Sequence, residues 1–229
     1  MPVMILLASA HLLFWGWGVS LAMQESTLST PGAILVGLWL AAIGLWLAYV
    51  ARLSRSGWLT GPGVAAQPWL WVPSPPVILS LAGLVLVPAL REAWIAVLTA
   101  LPAFALPALN VLRILAMGTV IKAWRGQFPR RIGLGVGIPD TMFGLWSASI
   151  ALSGGFQGER QELIWNVTGM AILLTMIPMV FTVLREPRLN APGKGEARGI
   201  LAFPMVLAPA GLATMFAILH ILELYRMLV

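Results

Sequence analysis

Long apolar stretches alternate with short polar segments along the whole chain, and this pattern sets the expected secondary structure. A helix that crosses the hydrocarbon core of a bilayer needs about 20 predominantly apolar residues. Seven such helices are predicted, over residues 2–23, 32–52, 76–91, 94–123, 132–153, 162–184 and 200–226. Between the third and the fourth, the segment REAW (residues 91–94) is expected to form a tight turn or to lie near the membrane interface. The pattern predicts an all-α transmembrane helix bundle that forms a single integral membrane domain over residues 1–229.

The composition fits an integral membrane protein and excludes several other classes. The chain is 59% hydrophobic and only 10% charged, whereas soluble domains carry about 25% charged residues. It contains no cysteine, which excludes disulfides, thiolate metal sites, iron–sulfur clusters and covalently attached c-type haem. No run of Lys and Arg indicates a nucleic-acid site, so membrane lipids are the expected partner. No cofactor is expected.

The positions of the basic residues predict the orientation in the membrane. Cytoplasmic connections between transmembrane helices carry an excess of Lys and Arg. Ten of the 14 basic residues fall in the second, fourth and sixth connections: Arg52, Arg55, Lys122, Arg125, Arg130, Arg131, Arg185, Arg188, Lys194 and Arg198. We therefore expect a cytoplasmic N-terminus and a periplasmic C-terminus in a bacterial inner membrane.

Two charged residues lie deep inside predicted helices. Asp140 follows Arg131 by nine residues, about 14 Å along a helix, and Arg113 precedes Trp124 by eleven, about 16 Å. The two helices are antiparallel and joined by a short loop, so they should be neighbours. Because an unpaired charge inside a bilayer is costly, Arg113 and Asp140 are expected to form an ion pair. Asn110 lies three residues before Arg113, on the same helix face, and is expected to join them.

Small residues accompany Asp140 on its predicted helix. They form a stripe that lets a neighbouring backbone approach closely, and with Asp140 the stripe comprises Gly133, Gly137, Gly144, Ser147 and Ala151. Pro139 cannot donate a backbone hydrogen bond, so a kink there would free a carbonyl for water, an ion or the guanidinium. Two interpretations stay open. The ion pair either only locks two helices together or handles an ion, a proton or a substrate.

A second polar group is predicted at the outer ends of the last two helices. Glu162 and Asn166 lie near the start of the sixth, while His220 and Glu223 are three residues apart on one face of the seventh. They form either a small polar pocket open to the periplasm or an ordinary interfacial rim of polar side chains. His11 lies near the middle of the first helix, and its difference in depth from His220 argues against a bis-histidine haem.

Four segments resemble a family of small, uncharacterised bacterial polytopic membrane proteins: LPALNVLRILAMG, GQFPRRIGLGVGIPDTMFGLWSASIAL, WNVTGM and FPMVLAPAGLATMFAILHILEL. Those proteins carry a helix with an Arg, a glycine-rich helix with a central Asp, a Trp-Asn-x-x-Gly segment and a proline-rich last helix with a late His. The resemblance covers residues 100–226, and its matching positions are Arg113, Asp140, Trp165, Asn166 and His220. Pro139 replaces the glycine that usually precedes the Asp. The resemblance implies the fold and no activity.

The sequence favours a membrane subunit without chemistry of its own. It offers no nucleophile–base pair, metal cluster or cofactor motif, so an enzyme is not expected. We expect an accessory or scaffolding subunit whose partners are lipids, other membrane subunits or further copies of the chain. The alternative is a small transporter or ion-coupled carrier with Arg113, Asp140 and Asn110 as its midplane site.

Overall fold

The computed structural model describes residues 3–59, 72, 74–185 and 205–228, and all regular structure in them is helical. The helices are α1 (Val3–Gln24), α2 (Thr30–Arg55), α3 (Ser74–Leu86), α4 (Pro88–Ala100), α5 (Ala105–Asn110), α6 (Met117–Trp124), α7 (Arg130–Gly135), α8 (Gly137–Leu152), α9 (Glu159–Arg185) and α10 (Ala213–Leu228). A 3₁₀ segment (Val111–Ala116) joins α5 to α6, and a π-helical turn (Ala208–Leu212) precedes α10. The predicted all-α fold is therefore confirmed over the described residues.

Several helices are suited to a bilayer. Four segments of the described chain are long and apolar enough to cross a membrane: Met4–Gln24, Thr30–Arg55, Ala105–Trp124 and Ala210–Leu228. A fifth is obtained if α3 and α4, which meet at 99°, are taken together as one bent span. Large apolar side chains are also exposed, with Leu13 at 73% and Leu152 at 89%. Such exposure fits contact with lipid and indicates a membrane protein.

The predicted division between the third and fourth helices is wrong. Residues 91–94 lie inside α4, and the chain bends at Val87 and breaks again at residues 101–104. Pro88 explains the first break, because proline lacks a backbone donor and is well suited to the first position of a helix. Pro102 explains the second, because the residue before a proline is driven out of the helical region, and Leu101 has ψ 136°.

The other described helix boundaries lie within a few residues of the predicted ones. The start of α2 has a chemical reason, because the Ser29 hydroxyl accepts a hydrogen bond from the Gly32 backbone amide and caps the helix. In the last helical region the described residues begin with a turn at Met205, and helix begins at Leu207. The predicted start of that helix at residue 200 lies outside the described residues, as do the basic residues Arg188, Lys194 and Arg198.

The predicted stripe of small residues is a packing surface. A Cβ at Gly144 would come within 2.6 Å of the Ile114 backbone nitrogen, and one at Gly137 within 2.6 Å of Thr119 Oγ1. A Cβ at Gly133 would overlap the Ala123 side chain. These glycines let α7 and α8 approach α6 and the 3₁₀ segment at backbone distance. The helix that carries Asp140 is thereby held against the segment that carries Arg113.

Candidate functional site

Arg113 and Asp140 are in direct contact. Arg113 Nε donates a hydrogen bond to Asp140 Oδ1 at 2.7 Å, and Nη2 lies 2.5 Å from the same oxygen. The Arg113 side chain is only 1% exposed, whereas that of Asp140 is 21% exposed. The ion pair that the matching depths predict is therefore present, and its carboxylate is the more accessible partner.

The rest of the guanidinium is enclosed by aromatic rings and an amide. Its central carbon lies 4.2 Å from the centroid of the Phe143 ring and 5.6 Å from that of Phe216. Both rings present their faces to the cation, an arrangement that attracts a positive charge. Nη1 lies 3.5 Å from Asn110 Oδ1, so the predicted third member of the cluster is in place. Asp140 Oδ1 is the one polar contact of Nη2 within the described residues.

His220 and Asn166, which were predicted to lie in an outer polar group, extend this cluster. His220 Nε2 lies 3.4 Å from Arg113 Nη1, and Nδ1 lies 2.9 Å from Asn166 Oδ1. A guanidinium can only donate, so Nε2 accepts and Nδ1 carries the hydrogen that is donated to Asn166. Both residues are completely buried. The predicted grouping with Glu162 and Glu223 is corrected in part: His220 faces Arg113, because tertiary packing brings that long side chain to its ring, while Asn166 Nδ2 donates a hydrogen bond to the Glu162 carbonyl at 3.1 Å.

Glu162 and Glu223 form a separate ionic cluster with Arg226. Arg226 Nη2 lies 2.5 Å from Glu162 Oε1, and Arg226 Nε donates to Glu223 Oε2 at 2.8 Å. The Glu223 side chain is 2% exposed and that of Glu162 is 16% exposed. Arg226 therefore pairs with one buried and one partly exposed carboxylate. Arg226 was not predicted here. Its position three residues after Glu223, one helical turn away, is the signal that could have identified it.

Trp165, Phe143 and Gly169 fix the position of His220. The Trp165 and His220 rings lie 4.8 Å apart, and Phe143 packs against both. Trp165 Nε1 donates a hydrogen bond to Ser147 Oγ at 2.9 Å. A Cβ at Gly169 would overlap the His220 ring. Because these partners come from α8 and α9, the imidazole is held where three helices meet.

Three breaks in regular α-helix meet at one cavity. The cavity has a volume of about 140 Å³, is bordered by Arg113 and Asp140, and is called the Arg113 cavity here. The 3₁₀ segment contributes Leu112 and Ala116 to its wall, the junction between α7 and α8 contributes Val136, and the π turn contributes Leu212. The helix breaks at Val136, three residues before Pro139. Proline has no backbone N–H, so Pro139 cannot donate a hydrogen bond to the carbonyl of Gly135. The kink that was predicted at Pro139 therefore lies less than one turn away, at Val136.

A second cavity lies beside the ionic cluster. It has a volume of about 300 Å³, is bordered by Glu162, Glu223 and Arg226, and is called the Glu162 cavity here. Its wall also includes Thr99 and Pro102. The polar contacts from Asp140 through Arg113, His220 and Asn166 continue to Glu162, because Asn166 Nδ2 donates a hydrogen bond to the Glu162 backbone carbonyl at 3.1 Å. This buried polar layer therefore connects residues that border the two cavities.

His11 lies apart from these contacts. It is completely buried, its ring packs edge-on against Phe216 with centroids 4.3 Å apart, and neither ring nitrogen has a hydrogen-bond partner among the described residues. No group of three His, Asp or Glu within the described part of the chain is arranged to hold a metal ion. No family model matches the chain, and no curated protein or solved structure matches it either.

Proposed function

We propose that this chain is a small carrier of a bacterial inner membrane, coupled to an ion, with its ligand site at Arg113 and Asp140. This is the second of the two functions that the sequence leaves open, and one observation favours it. The 3₁₀ segment, the α7–α8 junction and the π turn all border the cavity that contains the ion pair. Irregular backbone inside a membrane is tolerated where it is buried or lines a cavity, and interrupted helices are typical of carrier binding sites.

A scaffold that only holds partners has no need for this arrangement. Two uninterrupted helices would bury an ion pair equally well and keep every backbone hydrogen bond. A mid-helix 3₁₀ stretch often marks a hinge, and Arg113 lies within such a stretch. The proposed carrier has no catalytic chemistry, and its moving parts are the segments that border the Arg113 cavity.

The proposed topology has seven crossings, with the N-terminus in the cytoplasm and the C-terminus in the periplasm. Taking α3 and α4 as one bent crossing, and adding α7–α8 and α9 to the other spans, gives that number. Trp46 Nε1 donates to the carbonyls of Val72, just before α3, and Ala210, near the start of the last span. Thr99, at the end of α4, borders the same cavity as Arg226, near the end of the last span. These contacts support a crossing by α3–α4, as does the abundance of basic residues in the second and fourth connections.

We also propose that the chain belongs to the family of small bacterial membrane proteins that it resembles. The five matching positions are far apart in sequence, yet Arg113, Asp140, Trp165, Asn166 and His220 form one contacting group. Residues that converge on one site make a more specific resemblance than residues scattered over a bundle. The shared feature would then be the polar layer between the two cavities.

An accessory subunit remains the second candidate, and an exposed apolar surface of α3 is where a partner could pack. Ile78, Val85 and Leu86 are 63–75% exposed on this short helix. An apolar face of this kind fits another membrane subunit as well as it fits lipid. A stoichiometric partner that copurifies in mild detergent would support this candidate.

Accessibility of the Arg113 cavity from the two sides of the membrane tests the carrier. The natural chain has no cysteine, so Ala116→Cys places a single thiol in the cavity wall. A carrier exposes its site to each side in turn, so a membrane-impermeant maleimide should label this thiol from either side of sealed vesicles. Thr99→Cys, in the wall of the Glu162 cavity, is the control and should react from one side only. Labelling of Ala116→Cys from a single side would contradict the proposal.

A further inference from the structure

The Arg113 cavity combines a largely apolar wall with the Arg113 guanidinium. Among the described residues that border it, all side chains other than Arg113 and Asp140 are uncharged and most are apolar, with Leu7, Leu173 and Phe216 among them. An apolar wall with a few convergent polar groups is the usual form of a small-molecule site. The ligand should therefore be mainly apolar and should carry one group that pairs with a guanidinium or a carboxylate.

The guanidinium presents its bidentate edge toward Asp140. Nε and Nη2 both face Oδ1, at 2.7 and 2.5 Å. On the opposite side Nη1 is held between Asn110 and His220. The Nε–Nη2 edge is the geometry with which arginine binds a carboxylate through two parallel hydrogen bonds. Asp140 occupies that edge with a single oxygen, so a second carboxylate could bind better than Asp140 does.

Two carboxylates cannot share this edge while both are ionised. Two negative charges against one cation would leave a net charge in a buried site, which is costly. A proton on Asp140 removes the conflict and releases the guanidinium for the ligand. The exposed fraction of the Asp140 side chain, 21% against 1% for Arg113, makes the aspartate the group that a proton from the cavity can reach.

Few titratable or charged groups surround Asp140 and could take up the proton in its place. Among the elements packed against α8, the 3₁₀ segment contributes Arg113, and α10 contributes His220 behind it. Of the described side chains that border the cavity, those from α6, α7 and α9 are uncharged: Thr119, Ile132, Leu173 and Met176. The proton is therefore assigned to Asp140.

The volume of the Arg113 cavity gives the size of the ligand group that it can enclose. The Arg113 cavity measures about 140 Å³, and an apolar cavity of about 150 Å³ holds a molecule the size of benzene. That volume corresponds to about six non-hydrogen atoms. A carboxylate with a short unbranched tail, such as butyrate, has this size.

We infer that the Arg113–Asp140 site binds a small apolar monocarboxylate together with one proton. The proton is taken from water onto an Asp140 carboxylate oxygen, and the ligand carboxylate replaces Asp140 on the Nε–Nη2 edge of Arg113. No covalent bond other than the new O–H bond forms, the guanidinium keeps its protons, and the bound state has the same net charge as the empty one. As an account of what the carrier moves, this inference rests on the proposed function.

Binding of three matched ligands to the full chain in lipid nanodiscs tests the inference. Butyrate, butylamine and butanol share one tail length and differ in the head group. Isothermal titration between pH 6 and pH 8 should detect butyrate alone, with an affinity that rises by up to about tenfold for each unit that the pH falls, because one proton is bound with the ligand. Equal affinity at all pH values, or equal binding of butanol or butylamine, would overturn the inference.

Three variants test which residues are responsible for butyrate binding and for its pH dependence. Asp140→Asn mimics the protonated carboxyl, so butyrate should still bind and the pH dependence should be lost. Arg113→Gln should abolish binding. Glu159→Gln, which removes a carboxyl bordering the other cavity, should behave like the natural chain. If Asp140→Asn fails to fold, the three ligands on the natural chain still decide the question.

Flux into proteoliposomes separates this inference from the proposed function. Proton-dependent binding of butyrate without flux would contradict the carrier and support the site. Labelling of Ala116→Cys from both sides, together with no butyrate binding at any pH, would support the carrier and overturn the monocarboxylate inference.

Discussion

Gly169 and His220 lie in direct contact, so that a Cβ at position 169 would overlap Nε2 and Cε1 of the imidazole. Nε2 is the atom that faces Arg113 Nη1. The absence of a side chain on α9 therefore sets the position of a ring on α10, and that ring supports a guanidinium on the 3₁₀ segment. Three helical segments depend on this one close approach.

Gly169→Ala is expected to destabilise the protein and to displace His220. Overpacking of a closely packed interior typically costs about 1 to 3 kcal/mol. Gly37→Ala is the matched control, because Gly37 lies inside α2 with open space around its Cα, and alanine there should be neutral or stabilising by up to about 1 kcal/mol. Thermal unfolding in detergent measures both variants. Equal midpoints for the two would contradict the close approach of α9 and α10.

The topology predicts where a fusion at the C-terminus is active. A reporter fused after Val229 should be active as a periplasmic enzyme and inactive as a cytoplasmic one, because the basic residues of the second and fourth connections favour the cytoplasm. The same reporter placed after Arg125, between α6 and α7, should show the opposite behaviour. Activity of a cytoplasmic reporter fused after Val229 would contradict the seven-span topology.

Purified protein is expected to show no Soret band. His220 is engaged at both nitrogens, with Arg113 on one side and Asn166 on the other. His11 packs against Phe216 instead of facing His220. The absorption spectrum of the purified protein shows whether haem is bound. A stoichiometric haem spectrum that disappears in His11→Ala would show that this expectation is mistaken.

The Arg113–Asp140 pair was predictable from sequence because its determinants are local. Both residues lie on helices joined by a short loop, so counting residues back from that loop gives their relative depth. The glycine spacing on the Asp140 helix also indicated which face would pack against the Arg113 segment. Helical rise and a short connection were sufficient for this part of the site.

The His220 contact was not predictable in the same way. Residue counting gives the depth of a Cα atom and says little about how far a long Arg side chain extends. His220 also follows Arg113 by 107 residues, so their approach depends on how α10 packs against the other helices. The break between α3 and α4 had a local signal in Pro88, yet the apolar run continues through it and the hydrophobic pattern alone did not reveal it.

The last prediction concerns the energy of the Arg113–Asp140 pair. Arg113→Gln or Asp140→Asn alone leaves the other charge buried without its partner, at an expected cost of about 3 to 5 kcal/mol, whereas the double substitution removes both charges and should cost less than the sum. Folded yield and thermal unfolding in detergent measure this coupling. Asp140→Asn combined with Arg160→Gln, at an exposed arginine, is the control and should be additive.

The comparison of the two single variants with the double variant also distinguishes a structural role of the Arg113–Asp140 pair from a role in ligand binding. Single losses that simply add would mean that the two residues do not stabilise each other, contrary to the 2.7 Å hydrogen bond. A double variant that folds like the natural chain and still binds butyrate would leave the pair with a purely structural role. A double variant that folds normally and has lost butyrate binding would assign Arg113 to the ligand, because the fold would then persist without the charge that the ligand requires.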